Sequence, residues 1–174
     1  MKYTVANDDS KLKGKNGIYC FLPYENLDKN KKAVFKVGMT TQDFANRIEN
    51  YHSDYPMGVY MVFFLSFKRI PYATDADKKI ERDTLKSIEK SLFKLIVKNG
   101  GDMIKFPTRP GHSWLFPSEW FYTNEKTLKI SFEAIHKQYG GTLIPFHLDD
   151  INKNYQKNLN DKREKYVAKI VYFI

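Results

Sequence analysis

Apolar residues are distributed along the chain in two ways, as short unbroken blocks and as longer stripes at helical spacing. Residues 18–22 (Ile-Tyr-Cys-Phe-Leu) form a block introduced by Asn16-Gly17 and stopped by Pro23, which reads as a strand. Residues 33–38 (Ala-Val-Phe-Lys-Val-Gly) read as a second strand, joined to the first across a long polar loop as a hairpin. Residues 59–67 are rich in β-branched and aromatic side chains and follow the turn Pro56-Met57-Gly58, so they predict a buried third strand. Two stripes predict helices. Phe44, Ile48 and Tyr51 mark one over 42–51, with Thr41 as its cap, and Leu85, Ile88, Leu92, Leu95 and Ile96 mark one over 77–98, ending at Asn99-Gly100-Gly101.

Beyond residue 100 the signals change. Residues 106–114 are turn-rich and aromatic, and Glu119-Trp120-Phe121-Tyr122 follows, read either as a closing strand of the core or as a stacking aromatic. A helix is expected over 125–139, closed by Gly140-Gly141, then a weak strand or extended link over 142–145. Residues 149–169 form a polar, charged helix candidate, and the chain finishes on apolar residues 170–174. These elements predict an α+β fold: a small, mainly antiparallel three-stranded sheet flanked by helices. The organisation expected is an N-terminal segment 1–15, a core domain 16–122 and a helical C-terminal extension 123–174.

Composition narrows the class. The 174 residues are 42% hydrophobic and 28% charged, which excludes a disordered or collagen-like chain. The longest apolar run falls far short of the roughly 20 residues of a membrane helix, and the N-terminal residues lack the apolar core of a secretion signal. The one cysteine, Cys20, makes no internal bridge, so a reducing, intracellular-type compartment is expected. With 29 Lys and Arg against 20 Asp and Glu, the net charge is +9, a field that favours a polyanion such as nucleic acid. Lysine heavily outnumbers arginine, as an AT-rich genome would also produce, so individual lysines are not read as selected.

Two residues break the binary pattern, and the strands add another pair. Glu89 has Leu85 at i−4 and Leu92 and Phe93 at i+3 and i+4, which places a carboxylate on or beside the apolar stripe. Arg47 stands on the apolar side of its helix, three residues after Phe44. Snorkelling along apolar surface explains Arg47 easily and Glu89 less well, because glutamate is shorter and costly to bury unpaired. Alternation puts Tyr19 opposite in sense to Ile18 and Cys20, and Lys36 opposite to Phe35 and Val37. On adjacent strands the two can share a face, where an ammonium near a phenol favours the phenolate. The plain alternative is a tyrosine and a solvated lysine on an outer face.

These residues also carry a likeness. Gly17-Ile18-Tyr19, Lys36-Val37-Gly38, Arg47 and Glu89, in that order, resemble the motif set of the GIY-YIG nuclease superfamily. Lys36 stands where the second motif has its first tyrosine. Lys-Val-Gly followed by Met39-Thr40-Thr41, with Glu119-Trp120-Phe121 closing the domain, is similar to the phage- and virus-encoded branch. The resemblance runs from Asn16 to Tyr122. It implies hydrolysis of DNA with a single divalent ion, Mg²⁺ or Mn²⁺. Tyr19 would deprotonate or orient the attacking water, and Lys36 would hold the Tyr19 oxygen or a phosphate oxygen. Arg47 would stabilise charge on the phosphoryl group, and Glu89 would ligate the metal. His52, five residues after Arg47, falls near a histidine found in many members; it would assist the proton or contact phosphate, or be a solvated helix-end side chain. The chain departs from the branch at Phe93, close to where a histidine commonly follows the metal-binding glutamate.

Two functions of different class follow. One is a metal-dependent endonuclease. The other is a catalytically inactive protein that keeps the fold for a structural or binding role, such as a minor capsid component. In either case DNA is the expected partner, in host cytoplasm or virion, with a homo-oligomer or other subunits contacting the apolar C-terminus. Arg109, His112 and Trp114, in the long loop, either touch substrate or pack within the loop.

Overall fold

A computed structural model describes residues 10–23, 32–49, 59–68, 74–104 and 119–146. They form an antiparallel sheet with helices against both faces. The strands are β1 (Asn16–Pro23), β2 (Ala33–Thr40), β3 (Val59–Phe67), β4 (Asp102–Met103), β5 (Trp120–Thr123) and β6 (Thr142–Pro145). The helices are α1 (Phe44–Glu49), α2 (Asp75–Lys98) and α3 (Glu125–Tyr139), and Ser10–Leu12 make a short 3₁₀ turn. The α+β class agrees with expectation, but the sheet has six strands, in the order β4-β5-β2-β1-β3-β6, and not three. The expected three are its centre. Of the outer three, β5 and β6 lie where a closing strand and a weak strand or link are expected and join the same sheet, while β4, at two residues, is too short to show an alternation of its own.

β1 and β3 read as unbroken apolar runs because both their faces are covered. On one face, Ile18, Cys20 and Leu22 of β1 and Phe35 and Val37 of β2 pack against Ile88, Leu92 and Ile96 of α2 and Leu128, Phe132 and Ile135 of α3. On the other, Tyr19 and Phe21 pack with Leu12, Phe44 and Ile48, Val59, Met61 and Phe64, and Phe146. A bulge shifts the β1–β3 register between Cys20 and Phe21. It lets the consecutive Val62 and Phe63 face the same core, as one extra residue in a ladder does.

α2 begins at a capping box, in which Thr74 accepts from the Asp77 N–H and the Asp77 carboxylate accepts from the Thr74 N–H. Residues 123–146 pack into the same molecule: α3 closes one core, and β6 pairs with β3 from Phe63↔Pro145 to Ser66↔Thr142. At the C-terminal end of α2, Asn99 Nδ2 donates to Ser131 Oγ at 3.0 Å, joining α2 to α3. No helix among the described residues is long and apolar enough to cross a membrane.

Two positions show how the strand β1 is held. Gly17 has φ +148°, and a Cβ there would run into the Leu65 carbonyl, so the close approach of β1 and β3 requires glycine. Asn16 is buried and donates from Nδ2 to Oε1 of Glu81 at 2.6 Å, which ties the start of β1 to α2. Asn16→Ala leaves the buried Glu81 carboxyl without that donor, so it is expected to cost about 2 kcal/mol. Urea unfolding of the variant checks this; a midpoint equal to that of the wild type would contradict it.

Candidate active site

The site lies where β2 runs past the end of β5. β5 pairs with β2 from Ala33↔Thr123 to Lys36↔Trp120, and the Val37 N–H donates to the Glu119 carbonyl at 2.8 Å. Beyond that point no strand pairs with this edge of β2 among the described residues. The next amide on that edge, the Met39 N–H, faces the carboxyl group of Glu89 on α2 and favours its charged form. This explains why a carboxylate stands beside an apolar stripe: α2 packs by Leu85, Ile88, Leu92 and Ile96, and Glu89 reaches past them towards β2 at Met39.

Tyr19 approaches the same stretch of β2 from the opposite face. It is fully buried, paired across the ladder with Gly38, and fixed by rings at 5.8 Å (Phe21, stacked) and 5.4 Å (Phe44, tilted). Its hydroxyl lies over Gly38, where an added Cβ would stand 2.5 Å from the oxygen. Gly38 does not have a positive φ, so glycine is required by space and not by backbone conformation. The missing side chain is what allows the phenol to cross β2.

Lys36 shares the face of Tyr19. In the ladder it sits between Phe21 and Trp120. The residue is only 8% exposed; its ammonium donates to Oε2 of Glu119 at 2.7 Å and lies 5.2 Å from the centre of the Trp120 ring. Arg47 is half-buried on α1, between Phe44 and Ile48, which pack into the Tyr19 core. One sheet face thus carries Tyr19, Lys36 and the helix of Arg47, with Glu89 at the adjoining edge. His52, Arg109, His112 and Trp114, together with residues 149–174, lie outside the described residues.

The electrostatics centre on Glu89. Burial, and then the nearby Glu119 carboxylate, push its pKa from an ordinary 4.5 up to about 7, against the opposing pull of Lys36, Lys86 and the Met39 N–H. Glu81, the other buried carboxyl on α2, has an amide partner in Asn16 and serves the fold. Cys20 is fully buried, and burial followed by the charge of Glu125 raises its thiol well above the ordinary value, so it is an inert core residue. Phe93 packs edge-on against Phe121 with centroids 5.0 Å apart, which makes it part of the core on that side.

Glu119 is the site residue that sequence reasoning missed. The Glu-Trp-Phe segment reads as core strand, and Phe121 is core, but Glu119 meets Lys36 from 83 positions away. The available signal was a carboxylate at the start of a short strand, in a chain whose second strand carries an inward lysine. Glu119→Gln removes a charge that raises Glu89 and frees Lys36, which lowers it. Both effects bring the Glu89 titration below about 7, to be read from its carboxyl carbon by NMR; an unchanged midpoint would contradict this arrangement. Comparison of the chain with protein-family models, with curated proteins and with solved structures returns no match.

Proposed function

We propose that the protein is a metal-dependent endonuclease that hydrolyses DNA phosphodiester bonds on a GIY-YIG-like fold. The supporting observation is the meeting of Tyr19, crossing over Gly38, with Lys36 on one sheet face and Glu89 at the adjoining edge. In this reading Tyr19 orients or deprotonates the attacking water, and Lys36 holds the Tyr19 oxygen or a phosphate oxygen. Arg47 stabilises the charge that develops on the phosphoryl group.

The donor set suits a hard divalent cation. Two carboxylates, Glu89 and Glu119, stand within electrostatic reach of each other beside the Lys36 ammonium, and added positive charge relieves their repulsion. Among the described residues no group of three or more His, Cys, Asp or Glu side chains gathers. Mg²⁺ or Mn²⁺ would therefore be held by Glu89, with water completing its shell, and when bound would polarise the phosphoryl oxygens. The test is metal-dependent conversion of supercoiled plasmid to open circle, which the purified chain is expected to perform.

A second reading has its own observation. Lys36 is engaged with Glu119 at 2.7 Å, a closed ion pair of the kind a structural protein keeps to satisfy a buried ammonium. An inactive structural or nucleic-acid-binding protein on this fold, such as a minor capsid component, would leave the plasmid intact at every metal and salt concentration.

A further inference from the structure

The outer surface of α2 is not a random scatter of charge. Lys86, Lys90, Lys94 and Lys98 recur at every fourth position, and all four are exposed. Among the described residues none of them forms an ion pair. The one acidic residue between 84 and 98 is Glu89, which is buried. Elsewhere the signs mix: Lys78 pairs with Asp75 at 2.9 Å in the first turn of α2, and α3 carries Glu125 and Glu133 among its lysines. A merely solvated helix mixes signs at four-residue spacing, because like charges placed there repel and weaken it. Lysine-rich composition alone does not clear the acids from this stretch.

Each step of four residues advances about 6 Å and turns about 40°. The four lysines therefore form a winding ridge about 18 Å long. Its first member, Lys86, is three residues from Glu89 and so neighbours it on the helix surface. The ridge starts beside the candidate site and leads away from it. Over that length one strand of a duplex presents about five phosphates.

We propose that this ridge is a docking track for the phosphate backbone of duplex DNA, guiding one strand to the edge where Glu89 meets β2. It rests on the reading of the site as one that acts on DNA, and names the surface by which substrate reaches it. Such a track gives affinity without sequence preference, since phosphates carry no base information.

Binding of a labelled duplex, followed by fluorescence anisotropy in EDTA from about 50 to about 200 mM salt, tests it. The triple variant Lys86→Gln, Lys90→Gln, Lys94→Gln is expected to flatten the slope of log K against log salt by about 2 to 3. The variant Lys126→Gln, Lys129→Gln, Lys137→Gln removes the same charge from α3 and should retain the wild-type slope. Replacing Lys86, Lys90 and Lys94 by arginine should retain binding, which separates lost charge from lost structure. Equal slopes for the two glutamine triples, no duplex binding by the wild type, or tighter binding to RNA or anionic vesicles than to duplex would overturn the proposal. Because metal is absent, a chain that binds along α2 yet never nicks DNA sinks the nuclease and keeps the track. One that nicks with equal slopes does the reverse.

Discussion

Glu89→Gln is expected to be more stable than the wild type at pH 8, in EDTA, and to have lost DNA cleavage. The two effects have one cause. Burial and Glu119 raise the Glu89 pKa from 4.5 to about 7, so the folded state binds a proton more tightly than the unfolded chain. Below about 4.5 the group is protonated in both states and costs nothing; as pH rises through about 7 the folded protein must carry a buried carboxylate, and stability falls. The shift corresponds to at most about 3 kcal/mol. Glutamine keeps the shape and an oxygen towards the Met39 amide, but it carries no charge. The gain should therefore appear at pH 8 and fade towards pH 4.5, as read by denaturant unfolding at both values. A carboxylate kept at such a cost where an amide would serve the fold better is the mark of a functional residue. Loss of stability at pH 8 in Glu89→Gln would show instead that the charge is structural.

Gly38→Ala is expected to do the opposite and damage fold and activity together. The new methyl group would stand 2.5 Å from the Tyr19 hydroxyl and 2.7 Å from the ring carbon that bears it. Tyr19 cannot withdraw, since Phe21 and Phe44 pack against it and it has no exposed surface. Overpacking at such a point costs about 1–3 kcal/mol. Displacement of the phenol from the β2 edge should also lower the cleavage rate by about 100-fold or more, as loss of a positioned group in an active site commonly does. Melting temperature and single-turnover cleavage of the variant check the two parts. Wild-type values for both would mean that the phenol has room to move and that its place over Gly38 carries no function.

The central sheet was legible because its chemistry is local. β3 is a run of nine residues of which Val59 to Leu65 are all buried, and a block of that kind announces itself without partners. α3 was equally plain, with Asn124 to cap it and Gly140 to end it. Leu12 was not: it is fully buried against Tyr19 and Phe44, but one apolar residue in a lysine-rich segment has no period. β4, at two residues, is defined by its pairing with β5 and by nothing in its own sequence. The site divides in the same way. Alternation along β1 and β2 places Tyr19 and Lys36 on one face, since neighbouring strands of a hairpin keep their sides. The contact of Glu119 with Lys36 depends on the register of β5 on β2, and the approach of Glu89 to the Met39 amide on how α2 crosses the sheet; the pattern of single residues contains neither.

Nicking of supercoiled plasmid in Mg²⁺ or Mn²⁺ tests the central claim most directly, with wild type, Glu89→Ala and Tyr19→Phe assayed side by side at equal foldedness. Open-circle product that requires the metal is expected with the wild type and is abolished in both variants. Wild-type protein that is folded and binds duplex but leaves the plasmid supercoiled across metals, or nicking that survives Glu89→Ala, would contradict it.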